Sequence, residues 1–142
     1  MTLSVFTYGT LQIPSVIEAV TGRKFKSEPA VLENFVRFRI KNQVYPGIIP
    51  KENASIDGMI YFDLDERSLG FLDAFEDVLY VRTQDVVICN NNKIPAMVYV
   101  VDRQHRDLLS DEPWDIESFK RNHLDSYLES CRKFHREYKN TF

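Results

Sequence analysis

Glu76 stands in Leu72-Asp73-Ala74-Phe75-Glu76-Asp77, and its neighbours suit it to proton chemistry. At about 100° per residue, Leu69, Leu72 and Glu76 share one face of a predicted helix, flanked by Phe71, Phe75 and Val78. A carboxylate among leucines loses hydration, which disfavours its charged form and raises its pKa. A general base or proton shuttle near neutral pH needs that state. Asp73 lies near the same face and is the local rival, whereas Asp77 points elsewhere, into solvent or to cap the next turn. The second chemical feature is the loop Tyr8-Gly9-Thr10-Leu11, between a predicted strand and a predicted helix. Free backbone N–H groups and the positive end of a helix dipole suit an anion such as a carboxylate. Gly9 lets the backbone approach a ligand closely. Alone, such a turn is more often structural than functional.

Other candidate motifs fail on their own chemistry. His105-Arg106-Asp107-Leu108 begins like a kinase catalytic loop, but Glu112 stands where asparagine is required and no Gly-rich loop exists. Asn53-Ala54-Ser55 fits a glycosylation acceptor without a secretion signal to give it meaning. Ser4, Ser15 and Ser55 lie in no nucleophile elbow. His123 falls on the apolar stripe of the last predicted helix, where a packed, hydrogen-bonded histidine is expected rather than a ligand. With three histidines and no H-x-x-x-H spacing, a metal site is not expected. Cys89 and Cys131 form no C-x-x-C pair and read as reduced thiols, Cys131 on a helical apolar stripe.

A chain of 142 residues makes one domain, long enough to bury roughly 68–70% of the surface exposed on unfolding. The net charge of −3 argues against a nucleic-acid partner. Charge is unevenly spread: residues 52–87 hold nine acids and two bases, residues 1–51 seven bases and three acids. Two solvated faces that attract one another explain this pattern. No run of about 20 apolar residues could span a membrane, and the N-terminus lacks a basic signal-peptide region. The expectation is a cytoplasmic protein, a monomer or weak dimer.

These residues need elements to hold them. Leu3–Thr7 reads as a strand entering a loop, and Pro14 and Gly22 bracket a short helix over 14–21. Ala30–Ile40 reads as a strand, broken near Glu33-Asn34, and Tyr45-Pro46-Gly47 as punctuation. Gly58–Asp63 is a second clear strand, and Asp65-Glu66 opens the helix carrying Glu76. Tyr80–Cys89 and Pro95–Val101 read as a hairpin turning at Asn90-Asn91-Asn92-Lys93. Ile116, Phe119, His123, Tyr127, Cys131, Phe134 and Tyr138 recur every three or four residues and predict one long helix over 115–139. The order implies an α+β fold, with a strongly curved or barrel-like sheet and helices packed against it.

Taken together, Val5–Leu11, Tyr45-Pro46-Gly47-Ile48-Ile49-Pro50, Leu72–Asp77 with Tyr80 and Arg82, and Ala96–Val100 resemble the gamma-glutamylcyclotransferase-like family. The likeness is to the branch of gamma-glutamylamine cyclotransferase and the avirulence-induced plant proteins. Trp114-Asp115 with Phe119 and His123-Leu124 also resembles the plant-type C-terminal helix, so the likeness covers essentially the whole chain, 1–142, as one domain. It implies a small mixed β-barrel with peripheral helices. It further implies that Tyr8, Gly9, Thr10 and Leu11 bind substrate and that Glu76 is the catalytic acid/base. Tyr45, Tyr80 and Tyr99 match aromatic positions near the cavity, and Arg82 a position that could pair with a neighbouring acid. The implied activity is cyclisation of a γ-glutamyl amine or small γ-glutamyl conjugate to 5-oxoproline, without a cofactor. A non-catalytic small-ligand-binding or interaction module of the same fold is the alternative, because resemblance implies a fold more firmly than an activity. An unrelated acid/base enzyme using Glu76 on another carbonyl compound is a third reading.

Overall fold

The computed structural model describes residues 2–142. Strand β1 (Leu3–Thr7) pairs antiparallel with β3 (Pro46–Leu64) and parallel with β5 (Asn92–Val101). β3 pairs with β2 (Ser27–Arg39), and β5 with β4 (Tyr80–Cys89). The order β1-β3-β2-β4-β5 closes on itself as a small barrel, with Val31 facing Ile88 across the thin β2–β4 seam. The fold is therefore α+β, with α1 (Pro14–Thr21), α2 (Glu66–Glu76), α3 (Ile116–Asn122) and α4 (Leu124–Tyr138) around the sheet.

Two buried clusters meet at β1. Phe6 turns into the barrel interior with Leu32, Ile48, Ile60, Val87 and Val98. Val5 turns the other way, onto Val16, Val20, Leu64, Phe71 and Leu72 beneath the helices. Each such side chain contributes about 1.5–3 kcal/mol by leaving water. Covering β1 on both faces fixes where its C-terminal end, the Tyr8–Leu11 loop, emerges.

Local chemistry explains most boundaries. Pro14 occupies the first turn of α1, and Gly22 (φ 78°) closes it in the left-handed conformation. Asn90 and Asn91 both take positive φ, as a two-residue hairpin turn demands, so β5 begins at Asn92 rather than Pro95. The break near Glu33-Asn34 is a shift of register, with Asn34 at φ 67° accepting a hydrogen bond from Asn53 N–H at 3.2 Å.

Three expectations need correction. Tyr45-Pro46-Gly47 does not separate two segments: Pro46 opens β3, which runs 19 residues, and 58–63 is only its last part. Proline is tolerated there because a strand's first position need not donate to the ladder. The helix expected over 115–139 is two helices divided at His123 (φ −133°). His123 is exposed at that break and lies 6.2 Å from the Phe119 ring, rather than packed into the core. The uneven charge is bridged in part, through Arg23–Asp65 at 3.3 Å and Arg37–Asp57 at 3.2 Å. Cys89 and Cys131 are buried free thiols. Among the described residues, no helix is long and apolar enough to cross a membrane, and no group of three or more His, Cys, Asp or Glu could hold a metal.

Candidate active site

Glu76 is the last residue of α2, and α2 is anchored by Leu69, Phe71 and Leu72 packed under the sheet. Leu69 and Leu72 are buried on its side of the helix, as the periodicity predicts. Val78 lines the same cavity but not as a buried helical neighbour: α2 ends at Glu76, Asp77 takes φ 60° and ψ −157°, and Val78 turns out to 72% exposure. The Glu76 side chain opens on a cavity of about 380 Å³, so the residue is half-buried rather than sealed. Protein atoms nevertheless crowd its carboxyl. Desolvation, reinforced by the nearby Asp73 charge, pushes its pKa from 4.5 up to about 8.

The Tyr8–Leu11 loop lines the same cavity. It is held from several sides. Thr7 Oγ1 donates to Met59 O at 2.9 Å, and Arg37 Nη1 donates to Tyr8 O at 2.8 Å. A β-carbon on Gly9 would come within 2.9 Å of the Pro46 ring, so the close approach of these segments requires glycine. The loop does not lead straight into α1. A 3-10 turn over Thr10–Gln12 intervenes, with Gln12 N donating to Gly9 O at 3.1 Å and Ile13 N to Thr10 O at 3.1 Å. Among the described residues the N–H groups of Gly9, Thr10 and Leu11 meet no acceptor. The donors are therefore those of the turn, not of the α1 N-terminus.

The aromatic positions divide by what their hydroxyls do. Tyr8 Oη donates to Tyr99 O, Tyr80 Oη to Pro46 O and Tyr99 Oη to Asp73 Oδ1, each at 2.6 Å. These three phenols are committed to the frame, and burial raises the pKa of each, with Glu76 adding to the effect. Tyr45 is half-buried, and burial and Glu76 raise its pKa too. All eight residues singled out from the sequence (Tyr8, Gly9, Thr10, Leu11, Tyr45, Glu76, Tyr80 and Tyr99) line this one cavity. Asp73 does not line it. Its carboxylate is held by Tyr99 and by Arg82 Nε at 3.5 Å, at the protein surface.

Sequence reasoning missed the wall supplied by α4: Tyr127, Ser130 and Cys131. Thr10 Oγ1 donates to Tyr127 Oη at 3.0 Å, which ties α4 to the loop. Burial pushes the Cys131 thiol up to about 12, so it is not a ready nucleophile. Tyr127 and Cys131 were legible only as members of an apolar stripe; a tyrosine and a neighbouring serine on that stripe were the available signal. The charged side chains lining the cavity, Glu76 and Asp77, are both acids. A glutamate able to exchange a proton near neutral pH thus shares a small, tyrosine-rich cavity with a loop whose backbone donors are unpaired.

A family model described as gamma-glutamyl cyclotransferase, AIG2-like, matches residues 5–116. AIG2-like protein D of Arabidopsis thaliana is 33% identical over 138 residues, covering 94% of this chain and 90% of that protein. A solution structure of an Arabidopsis thaliana protein superposes with a TM-score of 0.68 at 29% identity, covering 96% of this chain and 93% of the other. A solved gamma-glutamyl cyclotransferase shares the fold at 15% identity, with a TM-score of 0.62 over 93% of this chain and 87% of its own. The matched segment includes both the Tyr8–Leu11 loop and Glu76 but stops short of α4. From barrel to glutamate, this chain belongs to the gamma-glutamyl cyclotransferase, AIG2-like family.

Proposed function

We propose that the protein is a cofactor-independent gamma-glutamylcyclotransferase. It converts a γ-glutamyl amine or small γ-glutamyl conjugate to 5-oxoproline and releases the free amine. The observation that carries this reading is that Glu76, with its pKa near 8, shares one cavity with the unpaired N–H groups of the Tyr8–Leu11 loop.

In the proposed reaction the loop N–H groups bind the substrate α-carboxylate, an anion for which the cavity offers no cationic side chain among its lining residues. The α-ammonium then faces Glu76. Ionised Glu76 takes one proton from it, and the freed amine attacks the γ-carbonyl carbon. The new carbon–nitrogen bond closes a five-membered ring. Glu76 passes its proton to the departing nitrogen as the old amide bond breaks, and the second proton lost by the ring nitrogen converts the leaving amine to its ammonium form. No atom is taken from solvent. Because nucleophile and electrophile belong to one molecule, holding the substrate in a folded conformation supplies much of the acceleration. A carboxyl with a pKa near 8 exchanges protons in both directions close to neutrality, as a shuttle requires.

The test is incubation with a panel of γ-glutamyl amines and γ-glutamyl dipeptides, followed by chromatographic assay of 5-oxoproline. Formation of 5-oxoproline with equimolar amine is expected for at least one member. A broad panel yielding none would favour the non-catalytic ligand-binding alternative.

A further inference from the structure

Arg37 lies outside the cavity, on β2, yet it reaches the loop that forms one cavity wall. Its Nη1 donates to Tyr8 O at 2.8 Å and to Asp57 O at 3.1 Å, and its Nη2 meets Asp57 Oδ1 at 3.2 Å. The side chain is only 20% exposed, and two carbonyls and a carboxylate fix its fork. The carbonyl it grips belongs to the peptide unit that carries the Gly9 N–H. In a trans peptide the C=O and N–H point in opposite directions, and all peptide bonds described here are trans. Holding Tyr8 O on the Arg37 side therefore turns the Gly9 N–H away from Arg37. A cation on the carbonyl also polarises the peptide and strengthens its N–H as a donor.

We infer that Arg37 is a positioning residue: by gripping the Tyr8 carbonyl from behind, it aims the Gly9 N–H into the cavity at the α-carboxylate of the ligand. This rests on the reading that the loop anchors that carboxylate. Arg37 touches no reacting atom, and its effect falls on carboxylate recognition rather than on proton transfer.

The experiment is calorimetric titration of wild type and Arg37→Met with two probes, 5-oxoproline and 2-pyrrolidinone, which have the same lactam ring with and without the carboxylate. Affinity for 5-oxoproline should fall at least about tenfold, while affinity for 2-pyrrolidinone stays within about twofold. Unchanged 5-oxoproline affinity would overturn the inference, as would an equal loss for both probes, which signals general damage to the cavity. Should Arg37→Met fail to fold by circular dichroism, Arg37→Gln, which is shorter and removes the charge, is held to the same selective loss. Wild type that binds 5-oxoproline but never produces it refutes the proposed activity and leaves the role of Arg37 standing. Active wild type with an unaffected Arg37→Met does the reverse. Wild type that binds no 5-oxoproline overturns the anchor itself.

Discussion

Glu76 should make folding stability depend on pH in a way that glutamine cannot reproduce. In the fold its pKa is raised from 4.5 to about 8 by desolvation and by Asp73. Between those values the native protein holds a proton that the unfolded chain has released, so rising pH favours unfolding. The sign is opposite to that of a salt-bridged carboxylate. Below about pH 4.5 the carboxyl is neutral in both states and wild type should match Glu76→Gln. Above about pH 8 the full difference has accumulated, roughly 5 kcal/mol at most at about 1.4 kcal/mol per tenfold change. Because the carboxyl opens on a cavity, water reduces that ceiling. Urea denaturation of both proteins, followed through Trp114 fluorescence at about pH 5, 6.5 and 8, measures the gap. Other groups titrate alike in both proteins and cancel. A stability difference that stays constant within about 1 kcal/mol across the range would refute the claim that Glu76 is desolvated in the native state.

Asp77 takes φ 60° and ψ −157°, a region that glycine occupies readily and other residues only under strain. Relief of about 1–3 kcal/mol of strain, less the 0.5–1 kcal/mol entropic cost of glycine, predicts that Asp77→Gly raises stability by about 1 kcal/mol; a lower urea midpoint would contradict this. The absence of a cationic side chain from the cavity lining predicts discrimination against a second carboxylate on the substrate. Turnover of γ-glutamyl-methylamide should exceed that of γ-glutamyl-glycine at least about tenfold in kcat/KM, and equal rates would show that the leaving group is not recognised by charge.

The sequence was most informative where one residue's chemistry decided the local outcome. Pro14 and Gly22 bracket α1, Asn90-Asn91 turns the β4–β5 hairpin, and leucines at helical spacing mark the buried face that ends at Glu76. It was least informative where contacts distant in sequence decide. Nothing in residues 115–139 marks the break at His123, because the apolar stripe runs through it and Phe119 of α3 still packs edge to face on Tyr127 of α4, their ring centroids 5.1 Å apart. The same distance hid the α4 wall: Thr10 and Tyr127 meet across 117 residues, and the stripe carrying Tyr127 and Cys131 reads as ordinary core until its partner is known. Asp73 and Glu76 differ little on a helical wheel. What separates them is the Tyr99 hydroxyl, reached from β5, which engages Asp73 and leaves Glu76 facing the cavity.

The most direct test of the account is the rate of 5-oxoproline formation by wild type and Glu76→Gln on a γ-glutamyl substrate that wild type turns over. With fold and substrate affinity retained, loss of the proton acceptor should lower kcat by about 10²–10⁴-fold, while Asp73→Asn, altering only a neighbour, should lose far less. A Glu76→Gln protein with near wild-type kcat would contradict the account.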